Sequence, residues 1–280
     1  MHKVDLKNYK KDLSGLFKSF EWNYIPGSIL EGSMGEILVD DLENPKTAIL
    51  TIPEFKISFL GGDAKADVVK EYLKELPFFS TLMFVSEGWP SILKSVHPKK
   101  WLAMPRFPFS SESLDVTHLK ELKDRLSDEY RIEKIDLEIA KQIMSEKNKL
   151  TGEQLFGFEN AENFIERGIG YIAYAGEEMV CISAAGTATK KGIEIQVNTL
   201  SEREGQGLGT AVSAALIIDC LEQGIDPNWD AATKNSAGLA KKLGYTPEGQ
   251  YLVYVFTKYK ILAQLVRLLR RILKREIIEP

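Results

Sequence analysis

The 280-residue chain holds only two cysteines and three histidines, and neither sign of charge dominates, with 36 lysines and arginines against 40 aspartates and glutamates. Cys181 and Cys220 lie in the apolar runs MVCISAA and LIIDCLEQ, where cysteine behaves as a small buried hydrophobe, so neither a disulfide framework nor a zinc site is expected. His2, His97 and His118 are scattered without ligand spacing, and no metal is expected. A net charge of −4 provides no basic surface for phosphate neutralisation, which excludes a general nucleic-acid binder. No stretch reaches the roughly 18 to 20 uninterrupted apolar residues of a membrane span, and the opening MHKVDLKNYKK has no apolar signal core. A cytoplasmic protein is the expectation.

What is present is an ordinary globular composition, 44% hydrophobic and 27% charged, on a chain long enough for two domains. From Gly32 to Leu60 short strands alternate with turn signals: MGEILVD, a turn at Glu43, Asn44 and Pro45, then TAILTI and FKISFL. Gly61 and Gly62 follow, then the helical pattern DAKADVVKEYLKEL, the strand STLMFV and the short helix SILKSV. Charged helical sequence fills 114–150 and places a boundary near residue 126. A second meander follows in GYIAYA, MVCISAAG and IEIQVNTL, then a glycine-rich loop entering the helix of REGQGLGTAVSAALIIDCLEQG, the strand DPNWDAAT and the short helix NSAGLAKKLGY. The order of elements in the first half recurs in the second, which predicts two similar α+β units.

In EGQGLGT three alternate residues, Gly205, Gly207 and Gly209, lack a Cβ, so the backbone is free to adopt positive φ and approach a ligand closely at the positive end of a helix dipole. A phosphate or pyrophosphate is the natural guest, although a glycine-rich turn into a helix is also a common structural device. The spacing G-x-G-x-G is not the G-x-G-x-x-G of a dinucleotide fold, and Thr210 follows Gly209 without the lysine of a P-loop.

From about Tyr130 to Thr257 the sequence resembles the GCN5-related N-acetyltransferase (GNAT) family. IEIQVNTL stands as the family's fourth strand, SEREGQGLGTAVSAALI as its pyrophosphate loop and helix, and NSAGLAKKLGY as its closing element. Together with EGSMGEILVDDLENPKTAIL near the start, PNWDAATKNSAGLAKKLGY resembles the tandem branch that includes the zwittermicin-resistance acetyltransferase. The resemblance implies an α+β fold of two tandem GNAT-like units, each a mixed, mostly antiparallel central sheet flanked by helices, with a C-terminal helix. The expected divisions are a degenerate N-terminal unit at 1–126, a catalytic unit at 127–258 and an amphipathic helix at 259–280. It implies acetyl-CoA as cofactor and acetyl transfer to a primary amine, preferably of a small molecule. Val197, Asn198 and Thr199 would face the pantetheine arm, Glu204, Gly205, Gln206, Gly207, Leu208, Gly209 and Thr210 the pyrophosphate, and Asn235 and Ser236 the cofactor arm again.

Two departures accompany the resemblance. The family's Gln or Arg three residues before the middle glycine is Glu204 here, whose carboxylate repels a pyrophosphate unless it points away. The tyrosine that many members place five residues after the asparagine is Ala240, so another group protonates the thiolate or it leaves unassisted. For direct attack an aliphatic amine must first lose a proton, and Glu194 on the fourth strand and Asp230 on the fifth are the candidate bases; either is equally readable as a solvated or hydrogen-bonded structural acid. Glu204 and Ala240 also motivate an alternative, a non-catalytic CoA-binding or interaction module.

The first half lacks the triple-glycine loop and is read as a unit that packs on the catalytic half, with Phe55, Phe59, Phe78, Phe79, Phe84 and Trp89 as core. The segment 258–280 carries seven basic residues against Glu276 and Glu279, with Leu262, Val266, Leu269 and Leu273 on one helical face. Docking on the protein itself or across a homodimer is expected, with a membrane-surface helix as the alternative.

Overall fold

The computed structural model describes residues 1–257 apart from 6, 7, 10, 21, 65, 66, 85 and 147. The amphipathic helix expected at 259–280 lies outside the described residues. The strands are β1 (His2–Val4), β2 (Glu36–Val39), β3 (Thr47–Ile52), β4 (Ile57–Gly62), β5 (Thr81–Met83) and β6 (Trp101–Ser110). They continue with β7 (Tyr130–Lys134), β8 (Gly170–Ala175), β9 (Glu178–Ala188), β10 (Gly192–Thr199), β11 (Asp226–Ala231), β12 (Thr246–Pro247) and β13 (Tyr251–Phe256). The helices are α1 (Tyr24–Leu30), α2 (Asp67–Lys74), α3 (Trp89–Val96), α4 (Val116–Asp124), α5 (Leu137–Ser145), α6 (Ala161–Arg167), α7 (Leu208–Glu222) and α8 (Lys234–Leu243).

The chain forms two compact units, one built from 1–21, 29–106 and 250–257, the other from 22–28 and 107–249. These units do not follow a division at residue 126. Residues 107–126 join the second unit because α4 buries Leu119 and Leu122 in the core that also holds Leu216 and Ile217 of α7. Residues 251–256 return to the first unit as a strand between β5 and the first part of β6.

In the first unit the sheet order is β1-β2-β3-β4-β5-β13-β6. Neighbours are antiparallel except β4 and β5, which run parallel through Ile57–Thr81 and Phe59–Met83 with α2 as the crossover. Asp67 in the first turn and Lys74 in the last complement the α2 dipole, while Val69 and Leu73, four apart, enter the core. Gly61 and Gly62 close β4 rather than opening a loop. A Cβ at Gly61 would meet the Phe17 ring at 2.7 Å, and one at Gly62 would lie 2.0 Å from the Lys46 carbonyl oxygen. Trp89, fully buried, packs with Phe84 at a centroid distance of 6.4 Å, and the Trp101 indole donates to the Leu93 carbonyl at 2.9 Å. Trp89→Ala is expected to destabilise this unit by about 3 to 5 kcal/mol, the range for emptying a large aromatic site. Urea denaturation reads the loss as a lowered midpoint.

The second unit orders its strands as β6 (residues 107–110), β11, β10, β9, β8 and β7, with β12 also pairing on β6. Among its described residues only β10 and β11 are parallel. Helix α7 is buried along almost its whole length, from Leu208 to Cys220, which explains its apolar residues on every face. Thr233 caps α8 by accepting from the Ser236 amide, and Gly244, at φ 106, ends it in the left-handed conformation that favours glycine. Each unit is therefore a mixed α+β arrangement in which helices flank a mixed sheet.

Candidate active site

Strand β10 changes partners along its length. Its parallel ladder with β11 runs from Gly192–Asp226 to Glu194–Asn228 and stops there. Its antiparallel ladder with β9 continues to Thr199–Cys181, with an irregularity at Glu194/Ile195. Strand β11 meanwhile pairs with β6 through Trp229, Asp230 and Ala231. Beyond Glu194 the two parallel strands thus lose their mutual hydrogen bonds, and the β11-facing backbone groups of 195–199 are left for other partners.

The glycine loop meets this opening. Gly205 and Gly207 adopt φ of 80° and 86°, and a Cβ at either would meet nothing within 4 Å. Gly207 is the N-cap of α7 and no side chain caps the helix, so its first-turn N–H groups face outward at the positive end of a 15-residue dipole. A Cβ at Gly209 would rest 3.6 Å from Thr199 Oγ1, 3.7 Å from Leu239 Cδ2 and 3.8 Å from Val197 Cγ1. The end of β10, the start of α7 and one face of α8 therefore converge on Gly209. Asn235, one turn before Leu239, shares that face and is exposed. Ser236 is held, its Oγ accepting from the Trp229 indole at 3.1 Å. Leu208 and Thr210 are buried, and Glu204 is exposed on extended backbone after the 201–203 turn. The Asn198 side-chain amide is committed to the Lys149 and Leu150 carbonyls at 2.7 and 3.0 Å. Ala240 is fully buried in the second core.

Glu194 is only 3% exposed; its Oε2 accepts from the Asn228 side-chain amide at 2.8 Å and from the Tyr24 backbone N–H at 3.3 Å. Tyr24 also donates its hydroxyl to Asp226 at 2.6 Å, and Ser111 hydrogen-bonds the other oxygen of that carboxylate. Burial, followed by the bond to Asp226, pushes the Tyr24 phenol well above its ordinary value. Residues 22–28 thus cover the closed end of the β10–β11 pair, where a Cβ at Gly192 would lie 2.5 Å from the Tyr24 ring. Asp230 lies two residues beyond Asn228, on the same strand face and past the last shared rung, and is partly exposed.

Several neighbours of this site carry no motif. The Tyr130 hydroxyl donates to Gln206 and ties the glycine loop to β7. A cavity of about 610 Å³ is lined by Gln196, Val197 and Asn198 of β10 and by residues of the 148–154 turn. The only sequence signal for that turn is Asn148 followed by Gly152. Burial pushes the thiols of Cys181 and Cys220 up to about 12. Neither thiol is expected to react with iodoacetamide at pH 8 until the protein is denatured, which intact mass measurement reads directly. Among the described residues no metal-binding cluster occurs, and no helix is long and apolar enough to cross a membrane.

A sheet opened beside a glycine loop that leads into a buried helix defines an acyltransferase of the GNAT type. The sequence profile of the GNAT acetyltransferase family matches residues 14–254, and the chain belongs to that family as an N-acetyltransferase. It is 27% identical over 259 residues to "Uncharacterized N-acetyltransferase YdfB" of Bacillus subtilis, covering 88% of this chain and 96% of that one. A GCN5-related N-acetyltransferase-like protein from Streptococcus suis has the same fold, with a TM-score of 0.73 and 26% identity, over 88% of this chain and all of that one. A tandem GNAT protein from the clavulanic acid biosynthesis pathway shares the fold at a TM-score of 0.51 and 12% identity, over 79% of this chain and 82% of that one.

Proposed function

We propose that the protein transfers the acetyl group of acetyl-CoA to a primary amine of a small molecule by direct attack, with the chemistry in the second unit. The observation that carries this reading is the convergence at Gly209 of three features: the open edge of β10, the uncapped start of α7 and the exposed face of α8. The residues suit the cofactor. Gly205 and Gly207 leave open space where side chains would obstruct a phosphate, and the α7 amides offer donors for it. Val197 and Thr199 border the path from that loop along β10, and Asn235 flanks it from α8. When bound, acetyl-CoA supplies the activated thioester.

The protein's own residues would then take a proton from the entering ammonium and polarise the acetyl carbonyl through a backbone N–H of β10 beyond the end of its ladder with β11. Asp230 is the better placed base, being past the last shared rung and partly exposed, whereas Glu194 is enclosed by Asn228 and Tyr24. Glu204, exposed after the 201–203 turn, has room to stay clear of the phosphates.

The first unit fits a second, degenerate copy of the same design. In each unit an antiparallel meander ends in the unit's single parallel pair, β4–β5 or β10–β11, joined by a helix. At the place equivalent to the glycine loop the first unit has Gly61 and Gly62 packed against Phe17 and Lys46. Titration calorimetry with acetyl-CoA tests the function: micromolar binding supports it, and no binding removes the cofactor and the reaction together.

A further inference from the structure

The glycine loop is made of residues that hold no shape by themselves. Gln206 stands between Gly205 and Gly207, and a Cβ at either glycine meets nothing within 4 Å, so packing does not fix the loop at those two points. Among the described residues, one hydrogen bond joins Gly205 and Gln206 to another element: the Tyr130 hydroxyl donates to Gln206 Oε1. The donor is fixed independently of the loop. Tyr130 opens β7 in register with Ala175 of β8, and its amide donates to the Ser127 carbonyl at 3.0 Å. Its ring, 8% exposed, belongs to one apolar cluster with Val180, Cys181, Leu208 and Val212. Leu208 is the first residue of α7, so the tether acts two residues before the helix begins. Gln206 itself is exposed, and water would answer its carbonyl almost as well. The bond therefore adds little to overall stability; what it sets is the conformation of the loop.

We infer that Tyr130 is a positioning residue for the cofactor: by holding Gln206 it keeps the glycine loop, before acetyl-CoA arrives, in the conformation that leaves the first amides of α7 open to the pyrophosphate. The inference rests on the acetyltransferase reading and adds a residue outside the loop to the cofactor site. It also narrows the part of Gln206, whose side-chain carbonyl is committed to β7 and whose contribution is a tethered backbone. Without the tether only a fraction of the molecules hold the open conformation, and the apparent affinity falls by that fraction.

Two measurements test it. In the first, acetyl-CoA is titrated calorimetrically into wild type, Tyr130→Phe, Gln206→Leu and the double variant. Tyr130→Phe removes one hydroxyl and keeps the ring, so its melting temperature should fall by less than about 4 °C. Its Kd for acetyl-CoA should rise about fivefold, the order of one hydrogen bond. Gln206→Leu, on the exposed loop, should show the same rise and carries the test if Tyr130→Phe does not fold. The double variant should be no weaker than either single one, because each removes the same tether. An unchanged Kd in Tyr130→Phe, or losses that multiply to about 25-fold in the double variant, would overturn the inference. Absence of binding by the wild type is a different result and overturns the parent reading.

The second measurement is backbone hydrogen exchange, which separates a freed loop from a weakened core. In the free protein Tyr130→Phe should speed exchange about fivefold across 203–211, the stretch bracketed by the Arg203 and Ala211 amides that donate to the Leu200 and Gly207 carbonyls. Exchange in β7 and β8 should stay at the wild-type rate, and saturating acetyl-CoA should bring 203–211 back to it. Unchanged exchange across 203–211, or an equal rise in β7 and β8, overturns the inference.

Discussion

Gly207→Trp should abolish acetyl-CoA binding, weakening it more than about 100-fold, or about 2.7 kcal/mol, while Gly207→Ala binds within a fewfold of wild type. Both variants pay the same backbone cost, because Gly207 sits at φ 86, a conformation that costs a residue with a Cβ about 1 to 2 kcal/mol. They differ in bulk alone. Nothing lies within 4 Å of a Cβ at this position, so an indole there has no protein neighbour to disturb and occupies the open ground above the α7 N-terminus. If that ground holds the pyrophosphate, tryptophan displaces it and alanine does not. Equal melting temperatures for the two variants, together with calorimetric titration, separate obstruction from strain. Wild-type affinity in the tryptophan variant would remove the glycine loop from the binding site.

Much of this was legible because it is local. The strands around TAILTI and GYIAYA alternate with turn signals over a few residues, and the glycines before α7 announce a backbone that side chains would obstruct. The unread parts depend on distant partners. Strand β6 holds Pro105 and Pro108, which argue against a strand between two neighbours, yet Pro105 pairs with Leu252 and Pro108 with Asp230. Nothing near Tyr24 indicates that its hydroxyl and backbone reach Asp226 and Glu194, some two hundred and 170 positions away along the chain. The helical stretch 116–124 was visible as a helix but not as part of the second unit, since its owner is decided by which core takes Leu119 and Leu122.

The two candidate bases are separated by the same long-range contacts. Glu194→Gln retains an oxygen able to accept from both Asn228 and Tyr24, exchanging charged for neutral hydrogen bonds. It is expected to cost about 1 kcal/mol of stability or slightly more and to leave kcat within about tenfold of wild type. Asp230→Asn should lower kcat about 100-fold or more, since a positioned general base contributes about 10² to 10⁴.

The pH profile discriminates further. An aliphatic amine deprotonates in water near pH 10, so above that pH it no longer needs help from the protein. The deficit of Asp230→Asn should therefore be large near pH 7 and shrink as pH approaches 10, whereas a merely misshapen site would lose the same factor at every pH. A deficit independent of pH would remove Asp230 from proton transfer. A collapse of kcat in Glu194→Gln beside a near-normal Asp230→Asn would give the role to Glu194, and Tyr24 and Asn228 would then be the residues that hold the base in position.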